Sequence, residues 1–171
     1  MRVFIIGFMC SGKSIVGREL ATLTGRRFVD IDRVIEQRIG PILPWMKLHG
    51  EAKFREVESE VLADLLEAED VLVACGGGTP MAADNMDRML DAGRVVYLDV
   101  PHDILVERAR RSGGDRPLLF GLKGDALTDR IGELMRVREP VYRRAPMHVA
   151  GGGTPRETAT LMAEMLGFQD K

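Results

Sequence analysis

Eight residues near the start, Gly7-Phe8-Met9-Cys10-Ser11-Gly12-Lys13-Ser14, have the types and spacing that bind phosphate. They fit G-x-x-x-x-G-K-[ST], a P-loop, with an apolar run (Val3 to Ile6) before it and an amphipathic segment after it. Glycines let backbone N–H groups close round a phosphate, and a helix N-terminus adds partial positive charge. Lys13 can then reach the β- and γ-phosphates, and the Ser14 hydroxyl can ligate Mg²⁺. Gly7, Cys10, Ser11, Gly12 and Ile15 complete the candidate nucleotide cradle.

Other candidates lie further along. Asp30 and Asp32 form a D-x-D after a short apolar run. One carboxylate can hold Mg²⁺ through water while the other orients a hydroxyl, or Asp30 can simply cap a helix. Gly76-Gly77-Gly78 implies close backbone approach to a ligand, or a tight turn. Arg55 borders an apolar stripe, where it reads as a surface residue. Arg138 continues the face of Leu127, Ile131 and Leu134, so it either snorkels to water or meets an anion. Arg116, in a glycine-rich loop, is of the type that neutralises a transferring phosphoryl group. Arg110 or Arg111 can stack on a base or end a solvated helix. The apolar strand that leads into the triple glycine, Val71–Ala74, ends in Cys and Gly instead of Asp, the usual second P-loop motif, which leaves Asp99 as a rival metal ligand to Asp30.

The elements that must position these residues alternate between helical and strand-like patterns, the signature of an α/β parallel sheet. Strands are expected at Val3–Ile6, 28–29, Val71–Ala74, 94–100 and Met147–Ala150. Helices are expected at about 13–23, 31–39, 51–66, 80–92, 101–111, 125–139 and 155–166. Pro41 to Gly50 reads as irregular at first, and 112–122 as a mobile loop. The expected fold is a three-layer sandwich of the P-loop NTPase type, a five-stranded parallel sheet with helices on both faces. The carboxyl ends of its strands bring all the motifs to one edge.

A length of 171 residues suits one domain, here 1–171, with a substrate-binding region at about 30–60 and a lid at about 112–122. A net charge of −2 predicts neither nucleic acid nor a membrane. Between Pro101 and Arg156, ten Arg and one Lys face seven acids, which fits an anionic small ligand. Two cysteines without a metal or disulfide pattern, no room for a signal peptide and no apolar run of membrane-spanning length point to the cytoplasm. The small size, with no insertion for switch regions, favours a small-molecule kinase over a GTPase or a motor.

Taken in order, these motifs resemble the shikimate kinases, within the nucleoside-monophosphate-kinase-like P-loop enzymes. The likeness rests on the P-loop with Ile15-Val16-Gly17, Phe28-Val29-Asp30-Ile31-Asp32, Gly50-Glu51 with Phe54-Arg55 and Glu58, Gly76–Gly78, Arg116-Pro117-Leu118-Leu119, and Arg138-Glu139 with Tyr142. It implies transfer of the ATP γ-phosphoryl group to the 3-hydroxyl of shikimate, by a monomer that uses Mg²⁺. By the same resemblance Asp32, Arg55, Gly76, Gly77, Gly78 and Arg138 bind shikimate, and Ser14 and Asp30 organise Mg²⁺. Lys13 and Arg116 stabilise the transferring group, Asp32 orients the hydroxyl, and Arg111 lies against adenine. Two stretches depart from the family pattern: Pro41-Ile42-Leu43-Pro44-Trp45, and Ala150-Gly151 in place of Asp-Thr. A gluconate kinase on the same scaffold and a non-catalytic nucleotide-binding module are the rival readings.

Overall fold

Five short runs pair into one parallel sheet among the residues that the structure, a computed structural model, describes (1–112 and 116–168). In chain order they are β1 (Arg2–Ile6), β2 (Arg27–Asp30), β3 (Val71–Ala74), β4 (Arg94–Asp99) and β5 (Met147–Ala150). In space the order is β2-β3-β1-β4-β5. The register sets Ile5 opposite both Ala74 and Val96. Val3, Phe4, Ile5 and Ile6 are fully buried, as a central parallel strand covered on both faces must be.

Eight helices complete the layers among the described residues: α1 (Lys13–Thr24), α2 (Ile31–Ile39), α3 (Ile42–His49), α4 (Glu51–Glu67), α5 (Asn85–Ala92), α6 (His102–Arg111), α7 (Gly124–Tyr142) and α8 (Pro155–Leu166). α1 packs along α8, and α4 packs against α2 and α5. The sheet, its parallel sense and its covering helices match the expected architecture.

Three expectations about elements are corrected. Pro41 to Gly50 is mostly helix: Pro41 takes the N-cap and Pro44 falls in the first turn, where its missing N–H costs nothing. The helix expected from Pro80 begins only at Asn85, after a 3-10 turn at Thr79–Met81. There the buried Asn85 amide donates to the Thr79 carbonyl (2.9 Å) and Ser59 Oγ (3.0 Å), closing the turn before the helix can start. α7 does not stop at Pro140 but runs to Tyr142, because Arg143 still donates to the Glu139 carbonyl (2.9 Å). In the loop expected at 112–122, Pro117–Leu119 forms a 3-10 turn anchored by buried Leu119. Gly113 and Gly114 lie outside the described residues.

Candidate active site

Two cavities open at the carboxyl edge of the sheet, of about 370 Å³ and about 620 Å³. Met9, Ser14, Asp30, Asp32, Gly76, Gly77 and Arg116 line both, so the two spaces meet along a shared wall. That junction is where a group could pass from a molecule in one cavity to a molecule in the other.

The first cavity is built on the P-loop. Gly12, just before α1, has a left-handed backbone (φ 96°) that a side chain would strain. Ile15 and Val16 donate back to its carbonyl, which starts the helix. Lys13 is buried, and its ammonium donates to the Phe8 carbonyl (2.7 Å) and approaches Ser11 Oγ (3.3 Å). Burial lowers its pKa from 10.5 to about 8, against the opposing pull of Asp32. Gly151, Gly152, Gly153 and Pro155 form the far wall.

Arg108 reaches this cavity from α6 and donates to the Ser11 carbonyl (2.8 Å), bracing the loop from outside. Arg111, the arginine expected to lie against a base, is not brought there. Its side chain is 78% exposed and pairs with Glu107 (2.5 Å). Arg108 and Arg111 are three apart on one helix, and spacing alone does not say which one turns inward.

At the junction Asp30 caps α2 by accepting from the Asp32 N–H (3.1 Å). The capping role and a place on the cavity wall therefore belong to the same carboxylate. Burial, and then the neighbouring Asp30 and Glu58 carboxylates, raise the Asp32 pKa from 3.8 to about 6; Lys13 and Arg116 oppose this. Asp99 does not line either cavity and pairs with Arg143 (3.8 Å).

The second cavity is rich in charge that is held in place. Glu58, only 1% exposed, receives Arg55 (2.7 Å) and the Thr79 hydroxyl (2.5 Å). A Cβ on Gly78 would lie 2.4 Å from Arg55 Cζ, so the guanidinium lies flat against that glycine. Arg138 is 5% exposed and its Nη1 has no hydrogen-bond partner among the described residues. It lies above Phe8 (5.8 Å to the ring centre) and lines the cavity. A buried, unmatched guanidinium N–H is costly unless an anion arrives to meet it. One turn on, Tyr142 donates to the Gly77 carbonyl (2.5 Å); burial pushes its phenol up to about 12, so it remains a donor. Ile42, Leu43, Pro44 and Met46 of α3 supply an apolar wall.

Comparisons with known proteins place the chain in a family. The family model described as "Shikimate kinase" matches residues 9–166. The chain belongs to the shikimate kinase family. A shikimate kinase of Parabacteroides distasonis is 41% identical over 145 residues, 84% of this chain and 84% of the relative. The crystal structure of a Bacteroides thetaiotaomicron shikimate kinase superposes with a TM-score of 0.91 at 32% identity, covering 98% of both chains. That of an Acinetobacter baumannii shikimate kinase in complex with shikimate gives 0.88 at 33% identity, over 99% of this chain and 95% of that one.

In this member of the family the fold gathers Lys13, Ser14, Asp30, Asp32, Arg55, Gly76–Gly78, Arg116 and Arg138 round two joined cavities. Gly7 lines neither and lies under the loop, where a Cβ would meet the Leu98 carbonyl at 2.8 Å. The site-residue reading missed Arg108, Thr79, and the holding roles of Glu58 and Tyr142. For Glu58 and Tyr142 a signal existed: Glu58 follows Arg55 by three residues and Tyr142 follows Arg138 by four, each pair sharing a helix face.

Proposed function

We propose that the enzyme transfers the γ-phosphoryl group of ATP to the 3-hydroxyl of shikimate, with the nucleotide in the smaller cavity and the acceptor in the larger. The observation that carries the placement is Arg138, a buried arginine with an unmatched N–H on the wall of the larger cavity. Arg55 lines the same space. Together they suit a carboxylate on a small acceptor, and the apolar side of α3 suits a carbon ring.

The roles follow from position. P-loop N–H groups and Lys13 hold the β- and γ-phosphates. Arg108, at the mouth of the nucleotide cavity, meets the nucleotide in place of Arg111. Asp32, at the junction, orients the acceptor hydroxyl and accepts its proton as the oxygen–phosphorus bond forms. Arg116, which lines both cavities, neutralises charge on the group in flight. Residues 112–122 act as the lid and about 30–60 as the acceptor-binding region of a single domain. One chain lines both cavities, which is consistent with a working monomer.

Mg²⁺ fits the donor set present. Among the described residues no group of three or more His, Cys, Asp or Glu could hold a metal unaided. Ser14 and Asp30 instead lie together at the junction, suited to an ion that arrives with the phosphates of the nucleotide. They would hold it there, and it would offset phosphate charge during transfer. Among the described residues no helix is long and apolar enough to cross a membrane, consistent with work in the cytoplasm.

The test is ADP release with and without shikimate, followed by Arg138→Ala. The parent should release ADP only with the acceptor present. The variant should raise the shikimate KM roughly 30- to 1000-fold while ATP affinity stays put. Unchanged shikimate kinetics in the variant would sink the carboxylate assignment, and a substrate panel including gluconate separates the rival acceptor.

A further inference from the structure

α3 is a lightly buried wall of the acceptor cavity. Five of its eight residues are apolar, yet none is buried. Gly40 and Gly50 flank it with left-handed φ values of 80° and 87°, and a Cβ added to either would meet nothing within 4 Å. Ile42, Leu43 and Met46 line the cavity, and Ile42, Trp45 and Met46 pack against the core while staying only partly buried, so the helix is lightly held.

α3 also packs near the Pro117–Leu119 turn, and a specific side-chain contact lies just beyond that turn. Lys47 Nζ lies 3.9 Å from the ring centre of Phe120, well inside cation–π range. Lys47 has no carboxylate partner among the described residues. Phe120 is 52% exposed, so the core does not fix its ring. It follows the Pro117–Leu119 turn and stands four residues after Arg116. Pro117 and Leu118 line the acceptor cavity together with Ile42 and Met46, so the Lys47–Phe120 contact joins the two segments that carry them.

We infer that Lys47 and Phe120 are positioning residues: their contact clasps α3 to the 116–120 segment and thereby sets Arg116 over the junction. Neither residue touches a reacting atom. The clasp makes the acceptor wall and the phosphoryl-neutralising arginine move as one body, so that occupancy of one cavity is felt in the other. This rests on the reading of Arg116 given above.

The test uses Lys47→Ala, Phe120→Ala, their double variant and Lys47→Arg. Each alanine should lower kcat about 2- to 5-fold with little change in either KM, the range expected of an exposed cation–π pair. The double variant should be no worse than a single one, because both remove the same contact. Lys47→Arg should keep the parent rate. A second readout needs no turnover. Trp45, the only tryptophan, lies on α3 two residues before Lys47. A non-hydrolysable ATP analogue should change its emission in the parent and not in Phe120→Ala, whereas shikimate should change it in both. Parent-like kcat in the single variants, multiplying losses in the double variant, or an intact nucleotide response in Phe120→Ala would each overturn the clasp. A parent that does not phosphorylate shikimate would instead overturn the underlying reading, and the emission arm would still judge the clasp.

Discussion

Asp32 is useful charged and stable neutral. Its carboxyl rises from 3.8 to about 6 on folding, chiefly through burial. The folded state therefore holds that proton more tightly than the unfolded chain. Its contribution favours folding below about pH 4 and is lost as the pH rises through 6. At neutral pH the ionised side chain burdens the fold. Asp32→Asn should raise the melting temperature, by the equivalent of roughly 1–3 kcal/mol, while cutting kcat about 10²- to 10⁴-fold. Calorimetry and steady-state rates check the pair of outcomes. In the parent, kcat/KM for shikimate should fall on the acid side of about pH 6. Lys13 gives a second signature. Burial holds its ammonium near 8 in the nucleotide-free protein, and a triphosphate beside it favours the charged form. Nucleotide binding near pH 8 should then take up about half a proton, read as a dependence of binding heat on buffer ionisation enthalpy.

The helices and loops decide which side chains these can be. Gly78 leaves just enough room for Arg55 to lie flat beside it. Gly78→Ala would push a Cβ to 2.4 Å from Arg55 Cζ and strip the guanidinium from Glu58. The shikimate KM should rise about tenfold to a hundredfold with the ATP KM unchanged. Much of this was readable in advance. The P-loop, the D-x-D, the triple glycine and Arg138 are local patterns whose geometry follows from chain direction at a strand end. The sheet was readable because its strands are short apolar runs whose charges sit only at their ends. What escaped was decided between elements. Whether Arg108 or Arg111 turns inward depends on the rotation of α6 against the P-loop. The burial of Glu58 depends on Thr79, twenty-one residues away. The start of α5 depends on Asn85 reaching back to Ser59 on α4. Pro44 and Pro140 misled because proline is excluded from helix interiors, not from first turns, and α7 tolerates one a single turn from its end.

Across the whole molecule, stability and chemistry sit at opposite ends of the strands. At the amino edge Asp70 takes the Met1 ammonium (3.1 Å) and Arg26, and the ammonium's hydrogen bond, then Arg26, hold its carboxyl below the usual range. Asp70→Asn should lower the melting temperature slightly and leave kcat and both KM values alone; a change in kcat would show that the two edges communicate. The position of β1 has a further consequence, for biosynthesis. It is the first made of the five strands and the middle strand of the sheet. Its two neighbours are β3, whose Leu72 faces Val3, and β4, whose Tyr97 faces Ile6. At about 5–20 residues per second, Val3 to Ile6 wait roughly 5–20 s of translation before both flanks exist. Until then the ribosome carries an apolar strand with at least one unpaired edge, joined to an unformed phosphate loop. A nascent chain halted before β4 should hold no nucleotide, and β1 is the segment a chaperone has most reason to shield.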